Sequence, residues 1–296
     1  NRLALLSVKH FGLVSRSVRS ALYAGITVNR IAGKKTMWKL TMLMKKLIPS
    51  FPLWSDQLLA PPGLAVLNLP GKAQDTIDAK TVVYFPACIT RLMGGHADGK
   101  KNMMETFMEV AAKGGIHVKV LDNIHQSCCG QIYSSKGFGE AYRFAANKIV
   151  TQLWESTAAG MHPVVMDVSS CTHTLHHLRP ALLPENQSRF DQIKVIDSID
   201  FLHDMILPVC IAGKKKDNIV LHSVCSLKKM GTEDKLRKVA GHFAHHVTVP
   251  LQLGCCGMAG DRGFLFPELT ASATACEAAE VKAADYEGYY SSTKTC

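Results

Sequence analysis

Eight of the ten cysteines in this 296-residue chain recur in one arrangement, and thiols so arranged can hold a soft metal or carry redox chemistry. A lone cysteine, a vicinal pair followed by glycine, and a distal cysteine stand at Cys88, Cys128-Cys129-Gly130 and Cys171. They return at Cys225, Cys255-Cys256-Gly257 and Cys296. The first cysteines are 137 residues apart, the pairs 127 and the distal cysteines 125, so one deletion of about ten residues relates most of the two copies. Single buried cysteines scatter through cores as small hydrophobes, whereas paired thiols at repeated positions do not. Four thiolates gathered from separate segments can ligate zinc or an iron–sulfur cluster. Adjacent side chains in a strand or tight turn diverge, so a vicinal pair reaches two irons of a cluster more readily than one small ion. The glycine after each pair lets the backbone approach closely and donate N–H groups to cluster sulfides. A vicinal disulfide needs a strained ring and is disfavoured in a reducing compartment.

Zinc is the alternative for one copy, above all the first, where His173 or His176 would replace a missing thiol. Otherwise the run His173, His176, His177 reads as an exposed helix start. His222, three residues before Cys225, is a supporting candidate beside the ligands. Asp261 and Arg262, in the glycine-rich loop after Cys256, either orient that loop and line a pocket for an electron acceptor, or form a surface salt bridge. Cys210 and Cys276 have no counterpart in the repeat and read as buried small hydrophobes.

Strand ends are what must position the thiols. The apolar run from Thr81 to Phe85 leads to Cys88, Val118 to Leu121 leads to Cys128, and Pro163 to Val168 leads to Cys171. Amphipathic helices are expected between them, over 102–113 and 139–158. The same grammar follows with a strand from Asn218 to Cys225, a helix near 235–243, a strand from Val247 to Leu253 and a helix over 269–284. Such alternation predicts an α/β fold of parallel units, with ligands gathered outside the carboxyl ends of the strands. The expected division is a basic helical segment with a Pro/Gly-rich linker over 1–77, a first α/β domain over 78–209 and a second over 210–296.

The net charge of +10 is concentrated at one end. Residues 1–75 hold 11 Lys/Arg against Asp56 and Asp75. Their apolar residues fall at helical spacing: Leu13, Val14, Val18, Leu22 and Tyr23, then Trp38, Met42, Leu43, Leu47 and Ile48. Those stripes are expected to be core. A basic amphipathic segment suits an anionic membrane surface or an acidic partner, with a solvated helical face as the plain alternative. No nucleic-acid-binding pattern accompanies it. The cysteine usage fits a cytoplasmic, reducing location, and the start of the chain resembles neither a signal peptide nor a membrane span. With no initial methionine, and with Cys296 inside a motif, the chain is expected to be part of a longer protein.

These residues resemble the cysteine-rich CCG domain, found twice in the B subunit of heterodisulfide reductase, in the iron–sulfur subunit of glycolate oxidase and in lactate-utilisation proteins. That pattern runs Cys, Cys-Cys-Gly, Cys-x-x-Cys. Here the last element of the first copy is Cys171-Thr172-His173-Thr174, with threonine in the final place. More narrowly, the stretches Cys255 to Gly263, Phe266 to Thr274 and Gly288 to Ser292 resemble the carboxyl-terminal part of bacterial FAD-linked D-lactate or D-2-hydroxyacid dehydrogenases. The resemblance implies two CCG domains holding iron–sulfur clusters of the 4Fe-4S type. Cys225, Cys255, Cys256 and Cys296 form the leading ligand set, and Cys88, Cys128, Cys129 and Cys171 form a second metal or cluster site.

It further implies flavin and ferredoxin-like domains upstream in the same polypeptide, FAD in the former, and a quinone or other electron acceptor as partner. This chain shows no Gly-rich dinucleotide loop, ferredoxin-type cysteine run or acid/base pair, so by itself it is expected to lack substrate oxidation. The reading is the electron-exit portion of a flavin-linked D-2-hydroxyacid dehydrogenase, docked peripherally at the inner membrane. The rivals are a heterodisulfide-reductase-like thiol/disulfide catalyst and a zinc-stapled interaction domain.

Overall fold

A computed structural model describes residues 1–55, 58–63, 80–95, 100–258 and 260–293, so Cys296 and much of the expected linker lie outside the described residues. Three helices open the chain: α1 (Arg2–Lys9), α2 (Phe11–Ala32) and α3 (Thr36–Leu47). They turn an unexpected face inward. Leu22 is buried, but Leu13, Tyr23, Leu43, Leu47 and Ile48 are exposed, with Leu47 at 74%. The inward face is Val8, Phe11, Ser15, Leu22 and Gly25, so the apolar Val8, Phe11 and Leu22 dock together with the small Ser15 and Gly25. A Cβ on Gly25 would lie 2.4 Å from the Trp54 ring. Arg19 donates to the carbonyls of Arg91 (2.8 Å) and Pro62 (2.7 Å). Val8 packs against Tyr133, Ala141 and Ala145. Burying a side chain such as Val8 or Phe11 stabilises the docking by about 1.5–3 kcal/mol.

The first sheet is wholly parallel, with β1 (Thr81–Phe85), β2 (His117–Val120), β3 (Val164–Met166) and β4 (Val195–Asp197) in the order β2-β1-β3-β4. Val82, Val83, Tyr84 and Phe85 are all buried, as expected of a strand covered on both faces. Between the strands run α4 (Cys88–Met93), α5 (Met103–Lys113), α6 (Gln131–Ser135), α7 (Gly139–Ser156), α8 (Ser169–His176) and α9 (Pro184–Phe190). Helix α5 starts where the sequence predicts because Asn102 and Glu105 form a reciprocal capping box. Its Phe107 stacks on Tyr84 at 4.0 Å, tying helix to sheet.

After α10 (Ser198–Phe201) the grammar repeats. β5 (Lys216–His222), α11 (Cys225–Met230), α12 (Glu233–Phe243), β6 (Ala244–Thr248), α13 (Arg262–Leu265), α14 (Pro267–Lys282) and β7 (Gly288–Ser291) build a parallel sheet in the order β6-β5-β7. That order equals β2-β1-β3, so the α/β fold with two pseudo-repeated parallel sheets behind a helical segment is as predicted. The strand expected over 247–253 lies earlier, because Pro250 has no N–H for a ladder. Leu251 and Gln252 turn outward and donate their amides to the Glu280 carboxylate at 2.8 and 2.9 Å. Lys235 on α12 joins the halves by pairing with Asp200 (2.6 Å) and Asp204 (2.7 Å). No described helix is long and apolar enough to cross a membrane.

Candidate functional site

Each sheet places its first strand in the middle, with later strands on either side, which opens a crevice at the carboxyl ends where such folds bind ligands. Cys88 and Cys225 occupy equivalent places there. Each is the first residue of the short helix after the central strand, preceded by an extended residue, Ala87 or Val224. Cys128 and Cys129 follow β2, and Cys171 lies in the first turn of α8 after β3. Gly130 and Gly257 both take left-handed backbone, φ 85° and 71°. Each also lies against the second helix after it, α7 or α14. A Cβ on Gly130 would meet Tyr142 at 3.1 Å and Ala145 at 3.3 Å; one on Gly257 would meet the Leu269 carbonyl and Ala273 at 3.1 Å. Only glycine satisfies both demands.

In the first half the four thiols are brought together. Cys128, Cys129 and Cys171 are buried and Cys88 is half-buried. They touch in sequence: Cys88 contacts Cys128, Cys128 contacts Cys129, and the sulfurs of Cys129 and Cys171 are 3.2 Å apart. The Gly130 amide donates to the Cys128 sulfur at 3.4 Å. Val8 and Phe11 help close a small cavity against Cys128. Among the described residues no three His, Cys, Asp or Glu side chains converge on a single-ion site, so the thiols form a chain rather than a tetrahedron.

Two buried charged residues organise this site, and neither is among the residues expected from the motif. Arg91, 3% exposed, donates from Nε to the Pro86 carbonyl (3.1 Å), from Nη1 to the Ile124 carbonyl and from Nη2 to the Ser127 carbonyl (2.6 Å). Asp167 accepts from the Tyr84 hydroxyl (2.7 Å) and the Ala87 amide (2.8 Å), so it clamps the end of β1 to the end of β3. Burial raises its pKa, opposed by those hydrogen bonds and one from Thr90. The sequence does carry a signal for Arg91, which stands three residues after Cys88 and so shares its side of a helix. For Asp167 the signal is an acid ending an apolar strand.

Burial and mutual contact keep these thiols protonated. The Cys88 pKa is raised by its hydrogen bond to Cys128 and then by burial. Cys128 is pushed from 9.0 up to about 12, first by its bond to Cys129. Cys129 and Cys171 are also raised; a neighbouring thiol's hydrogen bond lowers each, but burial and the other thiols outweigh it. A folded-state pKa above the unfolded one gives stability that is full below the unfolded value and is lost as pH rises through the folded value. The metal-free chain is therefore expected to lose stability between pH 9 and about 12, where unfolded thiols ionise but Cys128 in the fold does not. Urea midpoints at pH 8 and pH 10 check this: the alkaline loss should shrink in Cys128→Ser, and an equal loss contradicts the assignment.

The histidines do not complete the first site. His176 bonds the Val195 carbonyl (3.0 Å), and His173 stacks on His177 at 4.3 Å. Thr174, at the place of the absent cysteine, donates its hydroxyl to the Ser170 carbonyl (2.9 Å) of its own helix.

The second site is more open. Cys225 and Cys255 are exposed and Cys256 is half-buried. Cys225 bonds Cys255, and its pKa is raised by partial burial and then by Cys255. His222 ends β5 and lies buried with its Nδ1 2.7 Å from the Glu277 carboxylate, which also accepts from the Tyr289 hydroxyl at 3.0 Å. Glu277, on α14, carries no motif that would single it out in the sequence. Asp261 pairs with Lys136 at 2.8 Å, bridging the segments that follow the two Cys-Cys-Gly turns. Arg262 opens α13 on the rim of a groove lined by Lys136, Phe138 and Phe266. Cys210 is half-buried against the core, whereas Cys276 is exposed on α14, contrary to its expected burial.

Residues 82–176 match the cysteine-rich domain family CCG. The chain is also similar to the C subunit of the anaerobic glycerol-3-phosphate dehydrogenase from Escherichia coli strain K12 and from strain O157:H7. Each is 29% identical over 152 residues, which is 47% of this chain. The matched segment spans 35% of those relatives' length.

Proposed function

We propose that this chain is the iron–sulfur electron-transfer portion of a flavin-linked dehydrogenase. The observation that carries the reading is the first-site chain of four thiols beside the buried Arg91 guanidinium, which no described carboxylate pairs. A buried positive charge without an anionic partner is costly, and thiolates ionised on a metal group would supply the missing negative charge. The CCG match over the same residues and the dehydrogenase relatives support it.

Cys88, Cys128, Cys129 and Cys171 would hold one group; Cys225, Cys255, Cys256 and Cys296 would hold another. An iron–sulfur cluster bound there supplies one-electron uptake and release. The chain's own residues do the rest. Val8 and Phe11 wall the small cavity beside Cys128, the Gly130 amide bonds its sulfur, and Asp167 fixes the Cys88 turn against β3. His222, held by Glu277, and the Asp261–Lys136 pair would support the second group and its loop. Arg262 would line the acceptor groove. On this reading the chain divides into a helical segment over 1–77 and two CCG domains over 78–209 and 210–296.

In the finer reading, a D-2-hydroxyacid such as D-lactate is oxidised at FAD in a domain of the same polypeptide. Electrons then pass through a ferredoxin-like domain and this chain to a quinone. The loop from Cys255 to Gly263 supports that choice of substrate class. Anaerobic chain mixed with photoreduced flavin should bleach in the visible range and recover when a soluble quinone is added; bleaching that is absent, or that no quinone reverses, refutes the reading.

The exposed Leu6, Leu13, Ile31, Leu43 and Leu47 among lysines support peripheral docking on an anionic membrane face. Replacing Lys34, Lys35, Lys39 and Lys46 by glutamate should abolish co-sedimentation with phosphatidylglycerol vesicles. Unchanged sedimentation would remove that part of the proposal.

A further inference from the structure

Resting on that reading, we propose that Arg91 is the positioning and charge-balancing residue of the first site: its guanidinium locks the Cys88 turn to the Cys128 loop and sets one fixed positive charge against the thiolate-bound group.

The three carbonyls that Arg91 bonds belong to the segments that deliver cysteines. Pro86 is two residues before Cys88, Ser127 directly precedes Cys128, and Ile124 begins the turn leading there. Removing the fork frees two ligand-bearing segments at once and leaves three buried carbonyls without that donor. Arg91 is itself held, because its carbonyl accepts from Arg19 on α2. The basic helical segment thus braces the first site directly.

The charge is felt by the groups around it. His125, beside the same turn, has its pKa lowered by burial and then by the charges of Arg91, Arg19 and Arg16. Asp167 also acts on Arg91, but it forms no ion pair with it and is engaged by Tyr84 and Ala87. Arginine stays protonated in proteins, so its contribution is a fixed charge. When one electron passes from reduced flavin to the bound group, that group becomes more negative by one unit. A neighbouring positive charge favours the reduced form.

The test uses the full chain, loaded anaerobically, with Arg91→Lys and Arg91→Gln; Cys255→Ser separates the two sites' signals. Lysine keeps the charge and loses the fork, while glutamine loses both. At a fixed poise, the reduced-to-oxidised ratio of the first site should stay within about threefold in Arg91→Lys. It should fall at least about tenfold in Arg91→Gln, which is 59 mV for one electron. Both variants should lose hydrogen-exchange protection jointly at 87–88 and 127–130. Wild-type titration of Arg91→Gln, or equal shifts in both variants, overturns the charge role.

If the variants take up no metal, exchange in the metal-free chains decides: joint loss supports the positioning role and unchanged protection overturns it. If the wild type loads zinc without sulfide, the electron-transfer reading fails by itself and chelator competition replaces the titration. Arg91→Gln should then release zinc at least about tenfold more readily than Arg91→Lys. Equal retention overturns the inference.

Discussion

Gly130→Ala is expected to destabilise the chain by about 2–5 kcal/mol. Left-handed backbone costs a residue with a Cβ about 1–2 kcal/mol, and overpacking typically adds about 1–3 kcal/mol. The added methyl meets Tyr142 and Ala145 within 3.3 Å, and both are carried by α7, whose position is fixed by the core below. Yielding would swing the turn that carries Cys128 and Cys129, so on the proposed function metal uptake at the first site should fall along with stability. Gly137→Ala separates the two costs. Gly137 has a similar φ of 73° but open space around it, so it should show only the backbone cost of about 1 kcal/mol. Equal urea midpoints for the two variants would mean that contact with α7 is unimportant.

Asp167→Ala should cost about 2–5 kcal/mol, because the buried Tyr84 hydroxyl and Ala87 amide each lose their acceptor. The effect on the site should be larger than the effect on the fold. Asp167 joins the end of β1 to the end of β3, and those ends deliver Cys88 and Cys171. Asp167→Asn keeps one acceptor and should retain part of both stability and bound metal. An alanine variant that holds metal as the wild type does would show that the clamp is dispensable for the thiols.

Much of the fold can be read from local pattern. The run from Val82 to Phe85, the capping residues Asn102 and Glu105 and the repeated strand-then-cysteine spacing each name an element without knowledge of its neighbours. The second-half strand β6 starts earlier than hydropathy suggests, because Val247 to Leu253 looks continuous while Pro250 breaks the ladder. The helical stripe from Leu13 to Tyr23 reads as core from the sequence because period alone does not say which face meets a partner. Arg19 and Gly25 decide it by contacts with residues far along the chain.

The candidate site is legible as a set of thiols but not as an arrangement. Spacing gathers Cys88, Cys128, Cys129 and Cys171 at strand ends. The first set is buried and in contact, with Val8 of α1 and Phe11 of α2 against Cys128, while Cys225 and Cys255 lie exposed, a contrast the spacing does not show. The spacing of Arg91 after Cys88 and the acid ending a strand at Asp167 mark positions but not roles, because those roles exist only once the ends of β1, β2 and β3 meet. A buried arginine amid cysteines, bonded to carbonyls, is a tertiary fact.

Iron and acid-labile sulfide analysis with EPR, on chain purified without oxygen, bears most directly on the account. It predicts iron with matching sulfide and a reducible signal, part of which disappears in Cys129→Ser and the rest in Cys255→Ser. Zinc without sulfide, or iron that survives both substitutions, would contradict it.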